Sequence, residues 1–87
     1  MNLHNTMEKA VFNIIDNVLN KRDDICKCDK CKLDIIAIVL NNLPPKYVVT
    51  EKGELYSRVN EMEIQFGADI IKEIVKAVDI VLKSPRH

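Results

Sequence analysis

The chain has 87 residues, 47% of them hydrophobic, and its thirteen acidic and thirteen basic side chains balance. This length suits a single domain over residues 1–87 that buries only roughly 60–65% of its unfolded surface, so we expect added stabilisation by a metal, a disulfide or a second subunit. Because residues 1–45 carry six charges of each sign and residues 46–87 carry seven, no basic surface is predicted for binding a nucleic-acid duplex.

The first predicted helix covers "NTMEKAVFNIIDNVLNK", residues 5–21. Asn5 or Thr6 is a suitable N-cap. Apolar residues then recur every three or four positions, which predicts one buried face. That face comprises Met7, Val11, Ile14, Ile15 and Val18, and it is widened by Phe12 and Leu19.

The second predicted helix covers "DKCKLDIIAIVLNNLPP", residues 29–45, with Asp29 as its cap. The two prolines end it, because proline disfavours helical geometry in the residue before it. The expected buried stripe comprises Leu33, Ile36, Ala37 and Leu40. Ile35, Ile38 and Val39 make the middle of the helix apolar almost all round, which predicts burial on most sides. A monomer of three helices offers little surface to cover such a helix, so we expect a dimer.

The segment "KYVVTEKGELYSRV" breaks the helical pattern. Residues 47–49 favour an extended backbone, and a second extended run is predicted at residues 54–59. The letters "TEKG" between the two runs are typical of a tight turn, because Gly53 tolerates a positive φ. We therefore predict a short β-hairpin or extended segment between the second and third helices.

The third predicted helix runs over residues 61–83. Its apolar residues at helical spacing are Phe66, Ile70, Ile71, Ile74, Val75, Val78, Val81 and Leu82. We expect Gly67 to mark the true helix start or the close approach of a neighbour, since a glycine inside a helix costs ~1 kcal/mol relative to alanine. The predicted fold is mostly α: a small bundle of three main helices that forms a dimer.

No stretch of the chain reaches the roughly 18 apolar residues that a membrane span needs. The first residues, "MNLHNTMEKA", also lack the charged and apolar regions of a secretory signal. We therefore expect a soluble cytoplasmic protein that does not enter a membrane. In that reducing compartment an odd and closely spaced set of cysteines is poor material for disulfides.

Three cysteines lie in the stretch "DDICKCDKCKLD", at positions 26, 28 and 31. Cys28 and Cys31 flank the predicted start of the second helix, where exposed amides and the helix dipole favour thiolates. Cys26 lies in the preceding loop and can fold back toward them. Tetrahedral zinc, with Zn–S near ~2.3 Å, suits three such sulfurs and one further ligand. A structural zinc site is therefore predicted, and a redox-active C-x-x-C pair or unligated thiols are the alternatives.

The fourth zinc ligand has several candidates. His87 is favoured, provided that the last helix returns beside the cysteines, as it does in an antiparallel bundle. His4 ranks lower because it precedes the first helix, whereas the cysteines follow that helix. Asp24, a water molecule or a group from a second subunit are the other candidates. Both histidines are also explained as solvated residues near the chain termini.

No catalytic pattern is present in the sequence, which has no Ser-His-acid set, no glycine-rich phosphate loop and no H-E-x-x-H. We therefore predict that the protein is not an enzyme. A small-ligand site is the alternative hypothesis, because Tyr47 and Tyr56 offer rings that stack on bases, and Lys46 and Arg58 offer cations for phosphates. A cyclic dinucleotide is the leading ligand for this set. Packing of the tyrosines on the helices and solvation of the bases explain the same residues.

The run from "CKCDKCKLDIIAIVLNNLPPKYVVTEKGEL" to the terminal "KSPRH" resembles the late competence development protein ComFB family. The matching features are the C-x-C-x-x-C cluster, the Asp34-Ile35 pair that heads an apolar helix, the run "LNNLPPKYVVT", the Gly53 turn and the Pro-Arg-His tail. The resemblance spans nearly the whole chain.

This resemblance implies a small, mostly helical, non-enzymatic bacterial protein that forms dimers, with zinc in the members that carry cysteines. The family name refers to an operon linked to DNA uptake in competence. Some members of a branch without the cysteines are receptors for cyclic dinucleotides. The resulting hypothesis is a zinc-stabilised homodimeric interaction and regulatory module. The alternative is a receptor for a small ligand such as a cyclic dinucleotide.

Overall fold

A computed structural model describes residues 2–51 and 54–83. The elements in chain order are β1 (Asn2–Asn5), α1 (Thr6–Leu19), α2 (Asp29–Asn42), β2 (Tyr47–Thr50) and α3 (Leu55–Lys83). The prediction of a mostly helical fold, with three main helices and an extended segment between the second and third, is confirmed. The helices pack mainly through α1 against α3 and α2 against α3. No helix in the described ranges is long and apolar enough to cross a bilayer.

Helix α1 begins where the sequence predicts. The side-chain oxygen of Asn5 accepts a hydrogen bond from the backbone N–H of Met7 at 3.2 Å, so Asn5 is the N-cap. The amphipathic spacing then turns one face inward, and Ala10, Val11 and Ile15 on that face are fully buried. Helix α1 therefore forms one wall of the aliphatic core.

Helix α2 is capped by Cys28, whose extended backbone precedes the first helical residue, and not by Asp29 as predicted. The predicted buried stripe is also wrong in part, because Leu33 and Ala37 are exposed. The residues of α2 that are buried are Cys31, Ile35, Ile36 and Val39. Since the helix is apolar almost all round, its periodicity alone does not decide which face meets α1 and α3.

The strand β2 pairs antiparallel with β1, which lies at the start of the chain. Leu3 is opposite Val49, and His4 is opposite Val48. The extended run predicted at residues 54–59 is wrong, because residues 55–59 form the first turns of α3. As a helix this run directs Val59 into the core, which outweighs its local β propensity. The predicted turn residue Gly53 lies outside the described residues.

Helix α3 begins six residues before its predicted start. Gly67 lies in its interior, and a Cβ atom placed there would meet nothing within 4 Å. Gly67 therefore neither starts the helix nor permits a close approach. The residues of α3 that complete the core are Val59, Met62, Ile70, Ile74, Ala77, Val78 and Val81.

Candidate metal centre

The three cysteines converge at the start of α2. Their sulfur atoms all lie within 4.8 Å of one another, and no disulfide joins them. Cys28 is the N-cap of α2 and Cys31 lies in its first turn, so the helix geometry brings this pair together. Cys26 and Cys28 are exposed, whereas Cys31 is only 3% exposed and belongs to the aliphatic core. The cluster of Cys26, Cys28 and Cys31, which we call the cysteine cluster, therefore has one anchored sulfur and two accessible ones.

Contacts with the bundle fix the chain on both sides of Cys26. Ile25 is buried in the same core as Cys31. The ammonium of Lys32 lies 2.7 Å from a carboxylate oxygen of Asp16 and joins the first turn of α2 to α1. Both side chains of that ion pair are partly exposed, so the pair adds little stability by itself. These contacts set the path of the loop around the cysteine cluster.

The sulfurs of the cluster differ in acidity. A hydrogen bond from the backbone N–H of Cys31 and, to a smaller extent, the neighbouring Cys26 side chain together lower the pKa of Cys28 to about 6. Burial raises the pKa of Cys31 to about 12, and its two sulfur neighbours act in the same direction. A cation among the sulfurs would favour the thiolate form at all three positions, because coordination replaces the proton.

The spacing of the sulfurs fits a metal of the size of zinc. In a tetrahedral site with Zn–S near ~2.3 Å, neighbouring sulfurs are about 3.8 Å apart. The observed limit of 4.8 Å exceeds that separation by about an ångström, which side-chain rotation at Cys26 and Cys28 can supply. Cys26, Cys28 and Cys31 are therefore close enough together to serve as three ligands of one metal ion. A metal held there would neutralise the thiolates and tie the loop to α2.

Two of the candidates for a fourth ligand lie outside the cluster. Asp24 accepts two hydrogen bonds from Arg22, at 3.0 and 2.7 Å, which lower the pKa of its carboxyl group. His4 lies in β1, and the 14 residues of α1 separate it from the loop by about 21 Å. Within the described residues, the three cysteines are the only set of potential metal ligands that comes together.

His87 lies outside the described residues, so its role as a ligand stays a prediction. The condition for that role is that the end of α3 lies beside the loop. The carboxylate of Asp79, in the last turns of α3, acts electrostatically on Arg22 in the loop. The C-terminal end of α3 is therefore at the same end of the bundle as the cysteine cluster.

Three of the four predicted ligand-binding residues meet in one cleft. Lys46, Tyr47 and Arg58 line a cavity of about 400 Å³ between β2 and α3. The ammonium of Lys46 lies 5.5 Å from the centre of the Phe66 ring, which is a cation–π distance. The acidic side chain of Glu61 also lines this cleft. The cleft therefore contains two cationic side chains, two aromatic rings and one acidic side chain.

Tyr56, the fourth predicted residue, lines a different cleft of about 690 Å³ between α1 and α3. Phe12 and Val59 form part of its apolar wall, and an Asn13 amide donates to Glu63 at 2.8 Å beside it. No pattern in the sequence predicted this cleft. Its only sequence signal is Phe12 at the margin of the α1 face, because the pairing of α1 with α3 is a tertiary contact.

The outer side of α3 carries an apolar stripe that the packing leaves open except at Val78. It consists of Ile64, Ala68, Ile71, Val75, Val78 and Leu82, spaced alternately by four and three residues. This spacing is that of helices that pair along a coiled-coil seam. Ile64 is 78% exposed and Ile71 is 45% exposed, whereas Val78 is buried in the chain's own core. We refer to this set as the α3 stripe.

Comparisons with known proteins agree with this architecture. The family model described as "Late competence development protein ComFB" matches residues 4–85. The chain is similar to Competence protein ComFB of Bacillus subtilis (strain 168), with 24% identity over 83 residues that make up 95% of this chain and 85% of that protein. A solved structure of the late competence protein ComFB from Bacillus subtilis covers 97% of this chain and 94% of its own, with a TM-score of 0.80 and 24% identity.

Proposed function

The chain belongs to the late competence development protein ComFB family, and from that premise we propose a non-enzymatic homodimeric interaction and regulatory module that zinc stabilises. The observation that carries the zinc part is the convergence of Cys26, Cys28 and Cys31 within 4.8 Å. A domain of this size has a small core, and a structural metal is a common means of stabilising one. Zinc at the cysteine cluster would join the loop after α1 to the first turn of α2.

The α3 stripe supports the homodimer. Full burial of an aliphatic side chain is worth roughly 1.5–3 kcal/mol. Ile64 is 78% exposed and Ile71, Val75 and Leu82 are 45%, 40% and 38% exposed. On average about half of each side chain is left to bury, so pairing of two stripes would gain roughly 6–12 kcal/mol. This gain is comparable with the ~4–15 kcal/mol that association costs. An isologous contact through α3 is therefore feasible, and the loss of one isoleucine is enough to shift the equilibrium.

Two measurements on purified protein test this function. Metal analysis after preparation without chelators should find one zinc per chain, and size-exclusion chromatography with light scattering at micromolar concentration should give twice the chain mass. Protein without metal would contradict the zinc site, and a monomer would contradict the dimer. The fourth ligand is tested by comparing His87→Ala with His4→Ala: we expect zinc affinity to fall at least tenfold in the first and to stay unchanged in the second.

A second candidate function is the binding of a cyclic dinucleotide, and the cleft that contains Lys46, Tyr47 and Arg58 favours it. The cationic side chains of Lys46 and Arg58 would pair with phosphates, and the exposed Tyr47 ring would stack on a base. Titration calorimetry with both common cyclic dinucleotides tests it. We expect Arg58→Ala to weaken binding at least tenfold and Tyr56→Ala, in the other cleft, to leave it unchanged. Absence of heat at high micromolar ligand would refute this candidate.

A further inference from the structure

The cysteine cluster is also placed for a reaction that the proposed zinc site does not require. Cys26 and Cys28 are exposed, and the sulfur of Cys31 lies within 4.8 Å of both. We propose that Cys28 and Cys31 are a modification site, at which a hydroperoxide forms a disulfide between them and thereby removes the metal. This inference rests on the proposed zinc site, because it makes metal binding depend on the oxidation state of the cluster.

The geometry favours the pair Cys28 and Cys31 over the other two pairs. Cys28 caps α2 and Cys31 lies one turn later, so their Cα atoms are held about 5–6 Å apart, which a disulfide spans without backbone movement. A bond between Cys26 and Cys28 would close a small ring around Lys27 and strain the loop. Within this pair Cys31 is anchored in the core, so the exposed Cys28 is the member that a dissolved oxidant reaches.

The reaction balances with the peroxide as the only oxidant. The Cys28 sulfur attacks the O–O bond, which breaks, so that Cys28 becomes a sulfenic acid and hydroxide leaves. The Cys31 sulfur then attacks the Cys28 sulfur, the S–S bond forms and a second hydroxide leaves. The two sulfurs together lose two electrons, and hydrogen peroxide with two protons becomes two molecules of water. Cys26 remains as a thiol, and one sulfur holds zinc far more weakly than three.

The tryptic cleavage sites in the sequence allow the disulfide to be assigned to a pair of cysteines. Trypsin cleaves after Arg22, Lys27, Lys30 and Lys32 and so places each cysteine on its own peptide. Zinc-loaded full-length protein is treated with hydrogen peroxide in the presence of a chromogenic chelator, and digestion follows without reduction. We expect one zinc released per disulfide, a cross-link between the peptides 28–30 and 31–32, an unlinked Cys26, and recovery of zinc binding after dithiothreitol.

Two variants sharpen the test, with circular dichroism to establish that each is folded. Cys26→Ser should still form the disulfide, whereas Cys28→Ser should not form a cross-link within the chain. Retention of zinc in excess peroxide, or a cross-link that includes Cys26, would overturn this inference and leave the zinc site intact. Absence of zinc before peroxide is added would instead overturn the zinc site, and this inference with it. The zinc content measured at the start therefore distinguishes the two failures.

Discussion

Thr6 donates two hydrogen bonds to the carbonyl oxygen of Lys46, from its backbone N–H at 2.7 Å and from its hydroxyl at 2.8 Å. Thr6 begins α1 and Lys46 immediately precedes β2, so these bonds join elements that are 40 residues apart. The hydroxyl is buried with the rest of Thr6. The pair therefore holds the two-stranded sheet against the start of the bundle.

Removal of this hydroxyl should destabilise the fold. Thr6→Val keeps the side-chain shape and the backbone hydrogen bond but loses the side-chain hydrogen bond, which is worth about 1 kcal/mol. For a domain of this size, that loss lowers the melting temperature by about 4–8 °C. Thermal unfolding at one fixed protein concentration measures it, since a dimer's melting temperature depends on concentration. An unchanged melting temperature would contradict a structural role for the bond.

The same substitution at Thr50 should stabilise the fold instead of destabilising it. Thr50 is also buried, but within the described part of the chain its hydroxyl oxygen has no hydrogen-bond partner. A buried polar atom without a partner costs about 1–3 kcal/mol, so Thr50→Val should raise the free energy of unfolding by about 1 kcal/mol. Chemical denaturation of the two valine variants side by side provides the comparison. A loss of stability in Thr50→Val would show that the hydroxyl is bonded in solution.

Removal of the metal should destabilise the protein through the cysteine cluster. A ligand present at a thousand times its dissociation constant contributes about 4 kcal/mol to the folded state, so a chelator should lower the melting temperature of the zinc-loaded protein strongly. Cys28→Ser should melt lower than the wild type and should not respond to the chelator. Asp24→Asn is the matched control in the same loop, because its carboxylate is bonded to Arg22 and its loss should leave zinc binding intact. A chelator response that persists in Cys28→Ser would place the metal elsewhere.

Pairing through α3 should depend on Ile71 and not on Ile80. The two side chains are 45% and 52% exposed, and only Ile71 belongs to the α3 stripe. A glutamate at Ile71 removes apolar burial and places a charge in the contact, so we expect the dimer dissociation constant to rise at least tenfold, which corresponds to about 1.4 kcal/mol. Ile80→Glu should leave the dimer intact. Sedimentation velocity over a concentration series measures both, and equal effects of the two substitutions would exclude the α3 stripe as the interface.

The metal-free protein should show unequal thiol reactivity. With a pKa near 6 against the ordinary value of 9.0, Cys28 is mainly thiolate at pH 7, whereas Cys31, with its pKa raised to about 12, stays protonated. Alkylation of Cys28 by iodoacetamide should therefore lose half its rate near pH 6, and Cys31 should react slowly throughout. Because the Cys28 pKa is lowered by folding, its stabilising contribution is present above pH 9 and is lost as the pH falls through about 6. Mass spectrometry of the three tryptic peptides gives each rate, and equal rates at Cys28 and Cys31 would contradict this order.

Local spacing in the sequence was sufficient to predict much of the fold and the convergence of the cysteine cluster. The cap at Asn5 and the recurrence of Val11 and Ile15 depend on neighbours within one or two helical turns, and the start of α1 follows from them. The prolines after α2 act on the residue before them, so the end of that helix was equally predictable. Cys28 and Cys31 converge for the same reason, because a helix sets the distance between residues three positions apart.

Contacts between distant segments decided the parts of the fold and of the candidate sites that local spacing did not predict. The partner of β2 is β1, at the other end of the chain, and no local preference in residues 54–59 could compete with the burial of Val59 as part of α3. The orientation of α2 left Leu33 exposed and carried Cys31 into the core, since an almost uniformly apolar helix is turned by its neighbours and not by its own period. The separation of Tyr56 from Tyr47 has the same cause. Tyr56 lines the cleft between α3 and α1, whereas Tyr47 lines the cleft between α3 and β2.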